Sequence, residues 1–390
     1  MGCASTKHRI EKEKGRKEKQ CKTSHKPHPP ITSLKKSREI DESPLLPPAP
    51  TPSVTDCCRR LPPEDADTRL KRMLRAVGQD KVKSWDEMDK EVVECAQQYP
   101  SQGSYGKIYS SKLQGQDVVV KIIPVSRANT DPFGPYSDLR FVENEVQTMA
   151  HIQNTGLQNP TVPRIFNLSF YEGKPPKAFN NCVEIPPPQI IETPPLFIVM
   201  TMAHSGISLV DQNVKKLQEL QSIMTQVLVG LEIMEKSVSF EHRDMHPGNV
   251  LVAKTDDQFV VYNAGSEWVK VTTDGIQATI IDYTFSRITI SGRDYFVCLN
   301  HLKSLFDSVP GQVARIKMSK LARGNWATYH PETNAFFIHE IARTMLENAN
   351  CSSEMDKKEM SDWVEKLEGC TTTTEMLKCV PSNIMTRIPK

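Results

Sequence analysis

Three oxygen-bearing side chains lie in two short segments of this chain. Asp244 and Asn249 belong to residues 242–249, His-Arg-Asp-Met-His-Pro-Gly-Asn, and Asp282 follows the apolar pair Ile280-Ile281. Carboxylate and amide oxygens are ligands that Mg²⁺ prefers, whereas thiolate and imidazole suit softer metals. The spacing predicts ATP-dependent phosphoryl transfer, in which Asp244 accepts the proton of an attacking hydroxyl while Asn249 and Asp282 bind magnesium.

Short apolar strands should position these acids. Phe240 precedes the His-Arg-Asp loop, Val250–Val252 follows it, and Thr279–Ile281 leads into Asp282. Catalytic groups commonly stand at such strand and loop ends. Either fragment alone would favour a surface turn or the end of a buried strand, so the catalytic interpretation depends on finding both.

Upstream segments supply the parts that would bind a nucleotide. Residues 103–109, Gly-Ser-Tyr-Gly-Lys-Ile-Tyr, predict a strand, a glycine turn and a strand, where backbone approaches phosphate closely. Lys121 lies in a buried strand, so its ammonium requires anionic partners, namely ATP phosphates and a glutamate. The helical segment Leu139–Ile152 offers Glu143 and Glu145. We choose Glu145 as the partner of Lys121 and expect Glu143 to be solvated.

A connector after the apolar strand Leu196–Met200 should hold adenine by its backbone groups. It has the sequence Ala203-His204-Ser205-Gly206. The catalytic residues predicted at this point are Asp244 and Lys121. The residues predicted to bind the nucleotide and its metal are Ser101, Gly103, Ser104, Gly106, Ile108, Lys121, Glu145, Ala203, His204, Ser205, Gly206, Ser208, Asn249 and Asp282.

These segments resemble the haspin family, a divergent group of eukaryotic serine/threonine protein kinases. The residues that carry the resemblance are Phe240–His246, Gly248–Leu251, Asp282-Tyr283-Thr284 with Ser286-Arg287, and Trp326 with Tyr329-His330-Pro331. Most kinases have lysine in place of His246 and Asp-Phe-Gly in place of residues 282–284. A long insert between these motifs, alternating around Asn263-Ala264-Gly265 as a hairpin would, is also haspin-like. The likeness runs from roughly Val82 to near the C-terminus.

The resemblance implies a bilobal α+β protein-kinase fold that uses ATP and Mg²⁺. It places an antiparallel sheet and one helix in an N-lobe of about residues 81–202, and a mainly helical C-lobe in about residues 203–390. Leu217–Ser239 and Asn334–Asn350 have the apolar spacing of long core helices. Gly103 and Gly106 would lie over the phosphates, and Ser101 stands where the first glycine of the loop would be.

Two haspin-like substitutions lead to mechanistic expectations. His246 replaces the lysine near the transferring phosphate, so we expect its charge to assist transfer and activity to fall as imidazolium is lost. Thr284 replaces a glycine, which should restrict the backbone and hold Asp282 inward. We therefore predict activity without activation-loop phosphorylation.

The acceptor side departs from the family. Known haspins phosphorylate a threonine near the start of a histone tail. They carry acidic residues after the triplet that corresponds to residues 282–284 of this chain. Residues 300–322 of this chain instead contain Lys303, Arg315, Lys317 and Lys320 against the single Asp307. Ser208 also stands where relatives have an aspartate. These charges disfavour a basic histone tail as substrate, although a lysine-rich surface is more commonly only solvated.

Composition fits a kinase domain with a tail. The chain has 390 residues, of which 25% are charged and 38% hydrophobic. From Lys7 to Arg38 there are twelve Lys or Arg against three Glu, and residues 44–63 are rich in proline. We therefore expect residues 1–80 to be disordered and residues 81–390 to form the kinase domain, a monomer without a transmembrane segment.

The beginning of the tail permits two interpretations. Met1-Gly2-Cys3-Ala4-Ser5-Thr6 fits the N-myristoylation pattern, with Cys3 available for palmitate and a basic run behind it. Acylation would anchor a pool of the protein to membranes. A chance glycine before a nuclear-import or chromatin-binding tail is the alternative. We expect an intracellular protein of the nucleus or cytoplasm.

Three functional classes compete. The first is a haspin-type protein kinase, and the second is a small-molecule phosphotransferase of the aminoglycoside or choline type, which uses a similar His-x-Asp loop. Arg243, the glycine turn and the Trp326–Pro331 block favour the protein kinase. The third is a catalytically silent scaffold, which loses support because each of Lys121, Asp244, Asn249 and Asp282 is present.

Overall fold

A mixed β-sheet forms the first half of the fold. The computed structural model describes residues 64–99, 106–126, 137–154, 159–182, 195–307, 311–349 and 353–390. The strands of the sheet are β1 (Lys83–Ser84), β2 (Gln97–Gln98), β3 (Lys107–Leu113), β4 (Gln116–Ser126), β5 (Ser137–Asp138), β6 (Ile165–Glu172) and β7 (Leu196–Ala203). They lie in the order β1-β6-β7-β4-β3-β2, with β5 beside β4, and the long central pairs are antiparallel.

Helices of this half pack against the sheet and against one another. They are α1 (Ala66–Ala76), α2 (Lys90–Glu94) and α3 (Leu139–Asn154). Asp65 caps α1 by accepting a hydrogen bond from the Thr68 N–H, and α1 buries Leu70, Met73 and Leu74. Because α1 packs directly on α3, the first described helix supports the helix that carries Glu145.

The second half is mainly helical and is built around one buried helix, α4 (Leu217–Val238). Nearly every residue of α4 from Leu220 onward is buried, as expected of a core helix surrounded on all sides. The helices around it are α5 (Lys303–Asp307), α6 (Gln312–Ala322), α7 (Glu332–Glu347), α8 (Glu354–Glu368) and α9 (Thr373–Lys378).

Small sheets in the second half position the loops between the helices. Their strands are β8 (Ile207–Ser208), β9 (Val250–Lys254), β10 (Phe259–Asn263), β11 (Glu267–Thr272), β12 (Ile276–Ile280), β13 (Ile288–Ile290), β14 (Arg293–Tyr295) and β15 (Met385–Pro389). The strand order is β12-β9-β8 in one sheet and β10-β11-β15 in another, and β13 pairs with β14. The predicted hairpin is present, with β10 and β11 antiparallel and the C-terminal β15 added to β11.

The sheet-rich half and the helical half together confirm the predicted bilobal α+β fold. Two expectations need correction. The sheet-rich half holds α1 and α2 besides the one predicted helix, and its sheet is mixed because β1–β6 and β4–β5 are parallel pairs. In addition, α1 lies inside the segment 1–80 that we expected to be disordered. Its three buried apolar side chains explain the difference, since they give a helix with five charged residues out of eleven a face to pack. The acylation pattern at Gly2 and Cys3 and the proline-rich segment lie outside the described residues. None of the helices in the described part has the length and apolar character to cross a membrane.

Candidate active site

Lys121 and Asp282 are connected through two side chains in the cleft between the lobes. Lys121 Nζ lies 2.7 Å from Glu145 Oε1, and this is the glutamate chosen from the sequence. The Thr284 hydroxyl lies 3.2 Å from Glu145 Oε2 and 2.6 Å from Asp282 Oδ1. Strand β4, helix α3 and the segment after β12 thus bring these four residues, which are distant in sequence, into one network.

Neighbouring charges outweigh burial at Lys121 and Asp282, whereas at Glu145 burial outweighs the attraction of Lys121 and raises the pKa. Burial alone would lower the pKa of Lys121, but the charges of Glu145 and Asp282 together raise it above its usual value. Burial likewise acts against the charged form of Asp282, yet Lys121 and the Thr284 hydroxyl hold its pKa below the usual range. Asp282 has φ +65°, a left-handed conformation that is uncommon for a non-glycine residue and is typical of functional sites.

Asp244 and Asn249 reach the same region through paired strand ends. Val250 of β9 pairs with Ile280 of β12, so Asn249 before one strand lies beside Asp282 after the other. Asn249 Nδ2 donates to the Asp244 carbonyl at 2.9 Å, and the Ile281 N–H donates to the Asn249 carbonyl at 2.9 Å. With its amide nitrogen committed to Asp244, the side chain of Asn249 has its amide oxygen to offer a cation.

Arg315 contacts the predicted base directly. Its Nε lies 2.8 Å from Asp244 Oδ1, and its Nη2 contacts the same oxygen. Burial raises the pKa of Asp244 to about 7, although Arg315 opposes that shift. A carboxylate with a pKa near the working pH suits a general base. Arg315 was counted in the sequence among surface cations, but the structure buries its side chain, which corrects that expectation.

His246 has a structural contact where we expected a catalytic charge. Its Nδ1 accepts a hydrogen bond from the Gly248 N–H at 3.1 Å, which caps the short 3₁₀ turn Pro247–Asn249. Burial and the nearby Arg315 lower its pKa to about 4. The imidazole is therefore neutral at physiological pH, and the expectation that imidazolium assists transfer is not supported.

Arg243 is occupied by a neighbour in its own loop. Its guanidinium donates to Glu241 at 3.1 and 3.2 Å, with both side chains 1% exposed. Glu241 also accepts the His330 N–H at 2.9 Å, and Arg243 lies over the Trp326 ring. The Trp326–Pro331 block, one of the haspin-like motifs, thus packs under the catalytic loop and fixes it.

Asn144 of helix α3 ties that helix to the segment after Asp282. Its amide Nδ2 lies within 3.3 Å of the carbonyl oxygens of Tyr283, Thr284 and Ser286. Asn144 is 2% exposed. Because the neighbouring Glu145 holds Lys121, one turn of α3 fixes both the lysine and the backbone that follows Asp282.

Glu143, on the same turn, faces away from the cleft. It is buried and contacts Arg69 and Arg72 of helix α1, with Arg72 Nε 2.6 Å from Glu143 Oε1. Glu64 accepts a second hydrogen bond from Arg72 at 2.7 Å. The expectation that Glu143 is solvated is therefore wrong, because α1 supplies two cations that the sequence did not associate with it.

Only part of the predicted glycine turn can be located. Ser101, Gly103 and Ser104 lie outside the described residues. Gly106 has φ +148°, and a Cβ there would lie 2.7 Å from the Ile122 carbonyl oxygen, so this position requires glycine. Ile108 of β3 is paired with Lys121 of β4, which places it in the roof of the cleft.

The predicted adenine connector follows β7. The backbone N–H groups of Ala203 and His204 donate to the carbonyls of Arg164 and Asp117. The Ser205 hydroxyl donates to the Ala203 carbonyl, and Tyr99 contacts the His204 ring at 3.2 Å. At Gly206, φ is +92° and a Cβ would lie 2.0 Å from the Val252 carbonyl oxygen, so the connector turns tightly over β9.

Ser208 has a local structural role. Its hydroxyl donates to the Pro247 carbonyl at 3.3 Å and accepts the Val210 N–H at 3.2 Å. It therefore joins the end of the connector to the catalytic loop. In this position a serine holds two backbone segments together, whereas an aspartate would add a negative charge.

Several functional contacts were not recognised in the sequence. Arg315 and Arg72 are separated from their partners by 71 residues, and no spacing rule relates them. Asn144 had a usable signal, since it lies between two glutamates on one predicted helix turn, where a polar residue pointing inward requires hydrogen-bond partners.

Comparison with known proteins identifies one family of protein kinases. A family model described as "Haspin like kinase domain" matches residues 64–379. The chain is 30% identical over 203 residues to serine/threonine-protein kinase haspin of Bos taurus, covering 49% of this chain and 26% of that protein. It is 24% identical over 276 residues to the haspin homolog of Drosophila melanogaster, covering 65% and 48%.

A third relative is the haspin homolog hrk1 of Schizosaccharomyces pombe, which is 27% identical over 317 residues, covering 74% of this chain and 63% of that protein. The chain spans less than two thirds of the length of each of these relatives. The family match extends over both lobes and includes helix α1. The chain therefore belongs to the haspin family of protein kinases.

Proposed function

We propose that this chain transfers the γ-phosphoryl group of ATP to a serine or threonine hydroxyl of a protein substrate. The observation that carries the proposal is the network in which Lys121, Glu145, Thr284 and Asp282 join the two lobes by hydrogen bonds and an ion pair. Lys121 would hold the phosphates, and Asp244 would accept the proton of the acceptor hydroxyl.

The residues present fit ATP with Mg²⁺. Asp282 is held ionised, and the Asn249 amide has its oxygen to offer, so the two supply the hard oxygen ligands that magnesium prefers. Bound magnesium would neutralise phosphate charge during transfer. The crowded position of Gly106 supports close passage of the backbone over the phosphates. Because the Ala203 and His204 N–H groups are taken, we expect Ser205 to present its N–H to adenine.

The acceptor we propose is not a strongly basic tail. Lys317 and Lys320 are exposed on α6, the helix whose Arg315 contacts the base. A basic peptide would meet like charge on this side. An acceptor flanked by neutral or acidic residues fits better, and a histone-tail threonine remains the alternative suggested by the family.

The protein-kinase assignment is favoured over a small-molecule phosphotransferase. The family match covers both lobes, and the Trp326–Pro331 block packs beneath the catalytic loop. We also propose that activity does not depend on activation-loop phosphorylation. In kinases that depend on it, a phosphorylated residue pairs with arginines. Here Arg243 is paired with Glu241, and Asn144 already holds the segment after Asp282.

The test is phosphate transfer from γ-labelled ATP to an array of peptides with varied charge around one serine or threonine. The phosphatase-treated chain should transfer phosphate with magnesium and prefer neutral or acidic neighbours. Asp244→Asn should lower the rate by about 10²–10⁴-fold because the base is lost, while nucleotide binding persists. Asp362→Asn, at an exposed carboxylate of helix α8, is the matched control and should leave transfer unchanged.

Two outcomes would contradict the proposal. If the wild-type chain transfers no phosphate to any peptide or protein, the kinase activity is excluded. If transfer is equally fast in Asp244→Asn, the base is assigned wrongly. A preference for strongly basic peptides would leave the kinase activity in place and would overturn only the proposed acceptor class.

A further inference from the structure

Arg315 and Asp244 form a buried ion pair that engages one oxygen of the proposed base. Nε and Nη2 of Arg315 both contact Oδ1 of Asp244, and the two side chains are 3% and 13% exposed. Both contacts go to one oxygen. Arg315 therefore anchors Oδ1, while Oδ2 is not used by this pair.

The start of helix α6 is built to aim Arg315 at the base. Glu340 of α7 accepts the backbone N–H groups of Gly311 and Ala314 at 2.7 and 2.9 Å, which satisfies the helix N-terminus. The guanidinium lies against Gly311, where a Cβ would approach it to 3.1 Å. Gly311 has φ +95°, so a side chain would be strained there as well as crowded.

We propose that Arg315 is a positioning residue for phosphoryl transfer: it clamps Oδ1 of Asp244 so that Oδ2 receives the proton of the acceptor hydroxyl. This inference rests on the proposed function. The neutral His246 supplies no charge in the loop, and Arg315 is the cation in direct contact with the base. A guanidinium that presents two rigidly spaced N–H groups to one oxygen restricts the position of that oxygen more than a single ammonium does.

A removable inhibitory contact is the competing interpretation of the same geometry. If Arg315 moved away from Asp244, both buried charges would lose their ion-pair partner, which is strongly unfavourable. The Glu340 cap and the close fit at Gly311 also hold the arginine in place. The pair is therefore a standing part of the site, and its removal should slow the reaction.

The test compares Arg315→Met, Arg315→Lys and the matched control Arg343→Met in the full chain. Arg343 donates Nε and Nη2 to a single oxygen of Glu368 in the same way, but its side chain is 63% exposed. In Arg315→Met, kcat should fall on the order of 10²-fold while KM for ATP is unchanged, because only the acceptor geometry is altered. Arg315→Lys should recover part of kcat, and Arg343→Met should match wild type.

If Arg315→Met does not fold, Arg315→Lys carries the test, because it keeps the charge and loses the fork. A folded Arg315→Lys with wild-type kcat would overturn the inference. An Arg315→Met variant whose kcat equals that of wild type would also overturn it, and a higher kcat would identify an inhibitory contact. A variant in which only KM for ATP rises would contradict the inference as well. If the wild-type chain transfers no phosphate, the proposed function is overturned and this inference with it. If the wild type is active and substitution of Arg315 leaves kcat unchanged, only this inference is overturned.

Discussion

At the scale of single residues, the Thr284 hydroxyl is a hydrogen-bond donor that contacts a carboxylate from each lobe. Its hydroxyl lies within hydrogen-bonding distance of Glu145 on helix α3 and of Asp282 on the C-lobe side. A hydroxyl has one proton, so it donates to one carboxylate at a time. The shorter distance, 2.6 Å, identifies Asp282 as the stronger contact.

Thr284→Val keeps the shape of the side chain and removes the hydroxyl. Loss of a hydrogen bond to a charged group costs about 1.5–3 kcal/mol, so kcat/KM for ATP should fall by about 10- to 100-fold. Thr284→Ser retains the hydroxyl and should stay within a few-fold of wild type. Steady-state kinetics with varied ATP measures both. Equal losses in the two variants would show that the methyl group, and not the hydroxyl, supports the site.

At the scale of elements, helix α1 acts as a brace on helix α3. Arg69 and Arg72 contact Glu143, and three apolar residues of α1 pack into the core. Glu143 and Glu145 are two residues apart and lie on different sides of α3, so the brace and the Lys121 pair hold the helix from opposite directions. The orientation of Glu145 therefore depends on a helix that contributes no residue to the cleft.

Arg72→Met should weaken this brace. Glu143 would be left buried with one cationic partner fewer, so the free energy of unfolding should fall by about 1–3 kcal/mol, and ATP should bind less tightly. Arg75→Met changes an exposed arginine of the same helix and is the matched control. Urea unfolding and a nucleotide titration give the two readouts. If both variants behave alike, α1 has no bracing role.

The sequence predicted elements best where one periodic pattern decided the outcome. The core helix, the hairpin and the strands beside Asn249 and Asp282 were found because apolar spacing marks buried faces. Helix α1 was missed because five of its eleven residues are charged and its stability depends on packing against α3. The Arg315 contact was also missed, since an ion pair across 71 residues is set by the tertiary fold and leaves no local pattern.

At the scale of the whole molecule, Glu235 links stability to pH. It lies on the core helix, accepts a hydrogen bond from Asn334 at 2.7 Å and another from Thr373, and is largely buried. Burial raises its pKa to about 7 from the ordinary 4.5. Between these values the folded chain holds a proton that the unfolded chain has lost. Stability from this group is therefore full below about pH 4.5 and falls as pH rises to about 7.

Glu235→Gln should remove that part of the pH dependence. Relative to wild type, the variant should gain roughly 2–3 kcal/mol of unfolding free energy between pH 5 and pH 8. Glu232→Gln should instead lose stability by a similar amount at pH 5 and pH 8. Arg387 and Lys236 lower the pKa of Glu232 in spite of its burial, so the stability from its ionised form is present above about pH 4.5 and is lost only as pH falls below that value. Urea unfolding at the two pH values measures both. A pH-independent difference between Glu235→Gln and wild type would show that Glu235 keeps an ordinary pKa.

The central claim is that residues far apart in sequence form one metal–nucleotide site between the lobes. A crystal structure of the chain with a non-hydrolysable ATP analogue and Mn²⁺, read by the anomalous signal of manganese, tests it most directly. We expect a metal ion about 2.0–2.3 Å from both the Asn249 amide oxygen and the Asp282 carboxylate, with Lys121 on the phosphates. A nucleotide bound elsewhere, or manganese that touches neither side chain, would contradict the account.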